Sequence, residues 1–191
     1  LFTSQRMVSL ISRVAATTAI VNAIRKATRR PSVLVNASGV GYYGPVESGE
    51  VTEEHPRGSD FLSETTSQWE SVARAAESLG VRTVLLRTAV VLGDGGGALS
   101  KLVLPFRLFV GGPLGSGRQW FPWIHRDDLV AIVMFVLQDK TVSGPVNAVA
   151  PESVTMKEFC SALGQVMHRP SWAPVPSFVL KVILGEMSAM V

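Results

Sequence analysis

Apolar positions recur at helical spacing from the beginning of the chain. Val8, Ile11, Val14, Ala15, Thr18, Val21 and Ile24 fall on one stripe, which predicts an opening helix. The period then changes. The run Val33-Leu34-Val35 predicts a buried strand from Ser32 to Ala37, followed by a loop rich in Gly, Pro and Glu from Gly44 to Asp60. Helical spacing returns from about Leu62 to Leu79, with Trp69, Val72, Ala73 and Ala76 on one face and Gly80 as the stop. Val81 to Leu92 reads as a second buried strand, and the glycines from Gly93 to Gly97 turn the chain into a segment that reaches about Phe109. A further helix is predicted over Arg126 to Gln138, where Asp127 and Asp128 place negative charge at the helix N-terminus. A short strand from Pro145 to Val149 and a helix from Thr155 to Met167, which Thr155 is suited to cap, complete the pattern. Strands and helices in alternation predict an α/β fold, a parallel sheet covered by helices on both faces.

Composition narrows the function classes. A chain of 191 residues with 47% apolar content is long enough for one domain with a sizeable core, or one plus a small lobe. The net charge of +3 raises the question of nucleic acid or acidic lipid. Its one dense basic group, Arg25, Lys26, Arg29 and Arg30, has no interleaved aromatics and reads as a solvated helix end. Cys160 is the single cysteine, so neither an intramolecular disulfide nor a cysteine-based metal cluster is available within this chain. His55, His125 and His168 lie far apart without ligand spacing, and no metal site is expected. The apolar runs Val130 to Leu137 and Phe178 to Leu184 fall short of the roughly 20 residues a spanning helix needs. No acidic residue precedes Glu47, which is also how an organelle transit peptide reads. The helical stripe favours a helix there.

Candidate chemistry concentrates in Asn36-Ala37-Ser38-Gly39-Val40-Gly41-Tyr42-Tyr43-Gly44. A buried strand that ends in Ser and Gly, where backbone can approach a ligand, followed by a Tyr-Tyr-Gly turn, is how a dinucleotide-binding sheet opens onto its reaction pocket. Ser38 has two readings: a hydrogen-bond donor to a carbonyl or hydroxyl substrate, or a strand-end serine satisfied by the protein. Tyr42 and Tyr43 present either a phenol to the pocket or a structural turn aromatic. Arg87, inside an apolar strand, is either an anion ligand or the partner of a buried carboxylate. Gly-Asp-Gly-Gly-Gly from Gly93 to Gly97 is a tight turn or, less favoured without a following Lys-Ser/Thr, a phosphate cradle.

The Ser38 motif resembles the serine-bearing strand end of extended short-chain dehydrogenases/reductases. Leu86-Arg87-Thr88-Ala89-Val90-Val91-Leu92-Gly93, Gly111-Gly112-Pro113-Leu114-Gly115-Ser116-Gly117 and Gln119-Trp120-Phe121-Pro122-Trp123-Ile124-His125-Arg126-Asp127-Asp128-Leu129 resemble one branch of them, the YfcH-type epimerase-like proteins. Arg169-Pro170-Ser171-Trp172-Ala173-Pro174-Val175-Pro176 and Leu184-Gly185-Glu186 are similar to the chloroplast and cyanobacterial members. The resemblance implies a Rossmann-like doubly wound sheet with a small substrate-side lobe. It divides the chain into residues 1–150, the remainder of the NAD(P)-binding domain with 105–122 contributing to the substrate side, and residues 151–191, the start of the C-terminal lobe. The glycine-rich fingerprint and the small C-terminal domain of such proteins are expected to lie outside this sequence, which therefore looks like a fragment needing the rest of its chain or a partner subunit.

The same resemblance implies NADP(H) as cofactor, with Arg13, Ser38, Gly39, Val90 and Val91 as cofactor-binding positions and Ser38 and Tyr42 as the catalytic candidates. Arg13 equally reads as an exposed helical arginine, and Val90 and Val91 as core. Aligned through Trp69-Glu70, the positions of the usual Tyr-Lys dyad are held by Leu62 and Thr66, neither of which replaces the proton chemistry of that pair. Phe121 stands where sugar-nucleotide epimerases place a phosphate-binding arginine, which argues against a nucleotide-diphosphate sugar. Gln119, Trp120, Phe121 and Trp123 then line an apolar pocket or fill core. The resemblance makes His125 and Asp128 a structural signature at a helix start. Two functions follow as expectations: an epimerase/reductase-like protein of a small carbonyl or hydroxyl compound, or a non-catalytic subunit using the fold to bind protein, for instance in a plastid complex. The chloroplast is the expected compartment, with a bacterial cytoplasm as the alternative.

Overall fold

The computed structural model describes residues 2–172. The opening helix α1 (Phe2–Lys26) leads to strand β1 (Val33–Gly39), which ends in a 3₁₀ turn, Val40–Tyr43. Helix α2 (Phe61–Arg74) follows, and then β2 (Arg82–Thr88) and β3 (Val90–Leu92). Helix α3 (Gly97–Arg107), β4 (Trp123–His125), α4 (Arg126–Gln138), β5 (Gly144–Ala148) and α5 (Met156–Met167) complete the order. β1, β2 and β5 form one parallel sheet in the order β1-β2-β5, with Ser38 opposite Arg87 and Arg87 opposite Asn147. β3 and β4 form a second, two-stranded parallel sheet.

Two compact units result, each discontinuous in sequence. The first comprises Leu1–Thr88 and Val130–Ala148; the second takes Ala89–Leu129 and the chain from Val149. Residues 105–122 thus belong with the segment after Val149, and so do 89–104 and 123–129.

The strand predicted from Val81 to Leu92 is in fact two. β2 ends at Thr88 and β3 starts at Val90, because the Val90 amide donates to the Pro122 carbonyl and the backbone changes sheets at Ala89. β4, which receives β3, was not anticipated, since three residues carry too little periodicity to announce a strand. The opening helix is present, and burial along its stripe is uneven. Val21 and Ile24 are buried against Ala76 and Val81, while Val8 and Ile11 are exposed, so of these four positions the later two face a core.

Local chemistry explains where the helices begin. The Asp60 carboxylate accepts the Ser63 amide at 2.8 Å and caps α2. α2 stops at Arg74, short of the predicted Leu79, where i+3 hydrogen bonds tighten the chain before Gly80 turns it at φ 77°. At α5 a full capping box forms: the Thr155 hydroxyl accepts the Glu158 amide, and the Glu158 carboxylate accepts the Thr155 amide.

The core of the second unit gathers Leu92, Ala98, Leu102, Phe106, Leu114, Phe121, Met156 and Cys160. Cys160 is 1% exposed, and burial pushes its thiol up to about 11, partly offset by a hydrogen bond involving the Leu114 backbone. Two consequences are testable. The native thiol should resist a disulfide reagent at pH 8 and react only on unfolding. Because the folded thiol binds its proton more tightly than the unfolded one, its contribution is fully present below the unfolded value near 9 and is lost as pH rises towards 11, a loss of roughly 2–3 kcal/mol. Cys160→Ala should lack that alkaline decline; an identical decline in the variant would rule out the thiol as its source.

Candidate active site

Parallel sheets present their ligand sites at the carboxyl ends of the strands, and here that edge carries a row of polar side chains on one face. Ser38, Arg87 and Asn147 stand directly opposite one another on β1, β2 and β5. Above them α2 contributes Glu70. The Arg87 Nε and Nη2 donate to Glu70 Oε1 and Oε2, both at 2.9 Å, a two-pronged ion pair with side chains 2% and 4% exposed. Ser38 Oγ donates to the same Glu70 Oε1 at 2.6 Å.

Arg87 also reaches the turn after β1. Its Nη1 donates to the Tyr43 hydroxyl at 2.9 Å and to the Glu53 carbonyl at 3.2 Å, and Tyr43 in turn donates to Asn147 Oδ1 at 2.6 Å. Tyr42 lies with its ring face 3.5 Å from the Arg87 guanidinium carbon and meets Tyr43 edge to face. The loop before α2 is tied to the same row: the Asn147 amide donates to Glu53 Oε1, and Asn147 Nδ2 donates to the Val51 carbonyl. Burial alone would lower the proton affinity of Arg87, but its hydrogen bonds to Glu70 and Tyr43 outweigh that and raise it, so the guanidinium stays charged. Gly58 lets the loop sit this close, since a Cβ there would come within 2.6 Å of the Tyr43 carbonyl oxygen and Ser63 Oγ.

Ser38 is buried and hydrogen-bonded within the protein, and Gly39 and Tyr42, half-buried, flank it at the strand end. Arg13 is exposed on α1 with its guanidinium carbon 5.5 Å from the Trp69 ring centre. Trp69 Nε1 donates to Thr17 Oγ1, which donates to Asn36 Oδ1, a polar path from α2 through α1 to β1. All of these belong to the first unit, whereas Val90 and Val91, half-buried on β3, belong to the second. Of the two readings for Arg87, the carboxylate partner is the one observed. Thr66 Oγ1 donates to the Leu62 carbonyl one turn earlier, so these two positions do share a helix face.

In the second unit, Phe121 is core, packed against Phe159 at 4.5 Å between ring centres, and Trp120 is 46% exposed. The buried Trp123 Nε1 has no hydrogen-bond partner among the described residues. His125, Asp127 and Asp128 are exposed where β4 passes into α4. Gly95, Gly96 and Gly97 all take positive φ and turn the chain into α3. Among the described residues no group of His, Cys, Asp or Glu is placed to hold a metal, and no helix is long and apolar enough to cross a membrane. Glu70, Tyr43, Asn147 and Glu53 were not singled out as a cluster by the sequence. The available signal was the pair of charges at otherwise apolar positions, Glu70 on the packed face of α2 and Arg87 inside β2.

A model of the NAD dependent epimerase/dehydratase family matches residues 4–149. The chain belongs to this family. As an epimerase-family chain it is 47% identical over 182 residues to the chloroplastic epimerase family protein SDR39U1 homolog of Arabidopsis thaliana, covering 94% of this chain and 52% of the relative. It is 40% identical over 183 residues to epimerase family protein YfhF of Bacillus subtilis, covering 95% and 60%. The family member thus spans between half and three-fifths of those relatives' lengths. Among solved structures, human epimerase family protein SDR39U1, crystallised with NADPH, matches at 40% identity and a TM-score of 0.85, over 95% of this chain and 61% of that one. UDP-glucuronic acid 4-epimerase from Bacillus cereus, in complex with NAD, matches at 17% identity and a TM-score of 0.74, over 86% and 56%, which establishes the shared Rossmann-like fold and nothing finer.

Proposed function

We propose that this epimerase-family chain forms part of an NADP(H)-binding, epimerase/reductase-like protein acting on a small hydroxyl or carbonyl compound. The observation that carries the reading is the ion-paired polar row at the carboxyl ends of β1, β2 and β5, which holds Ser38 and Tyr42 at the place where such sheets take their ligand. The 40% identical human relative crystallised with NADPH supports the choice of cofactor. The residues fit such a group. Ser38, Gly39 and Tyr42 offer a hydroxyl, a strand end without side chain and an aromatic ring for the nicotinamide end, and Arg13 in the same unit offers a cation for phosphate or ribose. When bound, the cofactor supplies or accepts a hydride. The chain's own part is to orient the substrate oxygen and to move one proton, through Tyr42 or a water beside it.

A second reading, a non-catalytic subunit that binds protein, is favoured by α2. By the alignment through Trp69 and Glu70, Leu62 and Thr66 hold the positions of the usual proton-handling pair, and the Thr66 hydroxyl is spent on the Leu62 carbonyl. Under either reading the chloroplast is the proposed compartment, on the strength of the Arabidopsis relative, with a bacterial cytoplasm as the alternative.

Calorimetry of NADPH binding to the full-length protein tests the first reading, since the non-catalytic subunit is compatible with bound nucleotide or its absence. Tight binding that weakens about tenfold in Arg13→Ala, the loss of one charge-assisted contact, is the expected result. No binding by the wild-type protein would remove the oxidoreductase reading and leave the protein-binding one.

A further inference from the structure

We infer that Ser38 meets a ligand as a hydrogen-bond acceptor, so that the group it receives is a donor, a hydroxyl or an amide N–H, and not a bare carbonyl oxygen. The inference rests on the reading of these strand ends as the ligand pocket. A serine hydroxyl has one proton to give. Ser38 gives it to Glu70 Oε1 at 2.6 Å, and that same oxygen takes the Arg87 Nε at 2.9 Å while Oε2 takes Nη2. A carboxylate clasped on both oxygens by a guanidinium accepts and does not donate, so while Glu70 holds the Ser38 proton, Oγ turns only lone pairs outward.

Reversing this polarity would cost Ser38 its short bond to a buried, charged carboxylate, and moving Glu70 instead is opposed by its neighbours. Arg87 is buried among Glu70, the Tyr43 hydroxyl and the Glu53 carbonyl, and only Glu70 among these brings a negative charge to it. A rotated Glu70 would strand that charge. The rest of the row is also turned inward: Tyr43 donates to Asn147 Oδ1, and Asn147 Nδ2 donates to the Val51 carbonyl. Ser38 as a whole residue is 8% exposed at the strand end. A carbonyl oxygen placed there would set lone pair against lone pair. A hydroxyl or carboxamide would complete the chain of donors that ends on Glu70.

The test uses the full-length protein and two probes of similar shape that NADPH does not reduce readily: benzamide, which carries N–H donors, and methyl benzoate, which has a carbonyl but no donor. Dissociation constants are measured by ligand-observed NMR, with and without NADPH, for wild type and Ser38→Ala. Benzamide should bind at least fivefold more tightly than methyl benzoate, and the ratio should fall to within twofold in Ser38→Ala. Equal affinities, absence of binding by both probes, a preference for the ester, or a benzamide preference that survives Ser38→Ala would each overturn the assignment. Failure of the underlying reading looks different: the wild-type protein would not bind NADPH, and the probe ratio measured without it would still judge Ser38.

Discussion

Glu70→Ala should destabilise the protein by about 3–5 kcal/mol, the scale expected when one partner of a buried ion pair is removed. The Glu70 and Arg87 side chains are 4% and 2% exposed, and among the described groups that bond to Arg87 only Glu70 does so through a carboxylate. The cost comes chiefly from the stranded guanidinium and much less from the net worth of the pair. Adding Arg87→Leu to Glu70→Ala should therefore restore part of the loss, although the contacts to Tyr43 and Glu53 disappear with the guanidinium. Urea midpoints for the single and double variants decide the matter. A single-variant loss below about 1 kcal/mol, the range of exposed pairs, would mean that the pair is hydrated in solution. The Tyr42-Tyr43 turn stacks on and bonds to the same guanidinium, so NADPH affinity should fall with stability.

Phe106→Ala should cost a similar amount, about 3–5 kcal/mol, by opening a cavity among Leu102, Leu114, Phe121, Met156 and Cys160. The ring is 2% exposed, and the chain has accommodated it by placing glycine at position 111, where a Cβ would lie 2.4 Å from two ring atoms. Gly111→Ala alone should then cost roughly 1–3 kcal/mol as overpacking. In the Phe106→Ala background the same change should be close to neutral, because the atoms it struck are gone. Additive losses in denaturant melts of the four proteins would contradict that geometry and place Gly111 away from the ring.

Much of the fold was legible in the chain's periodicity. The Val33 to Val35 run, the stripe of α2 and the Thr155 to Met167 helix each carry their signal within about a dozen neighbouring residues, which is the range over which spacing and capping act. The family was legible for a different reason, because motifs such as Leu86 to Gly93 and Gln119 to Leu129 preserve residue types at fixed spacing. Less legible were the short pieces. β4 has three residues, and the change of sheet at Ala89 is set by the Pro122 carbonyl more than thirty residues away. The extent of burial along α1 was not legible, because a period shows which positions share a face but not how far along the helix a core extends.

For the candidate site the division is sharper. The sequence by itself determined that a serine and a glycine end a buried strand, that two tyrosines turn the chain after it, and that an arginine sits where only apolar side chains or a paired charge are tolerated. Only the tertiary structure decided which carboxylate pairs with Arg87, that Glu70 also takes the Ser38 proton, and that Asn147, 60 positions beyond Arg87, completes the row. The physical reason is that hydrogen-bond polarity at a buried hydroxyl depends on partners brought by strand register and helix packing. Those contacts link residues 17 to 104 positions apart, and no local pattern encodes them.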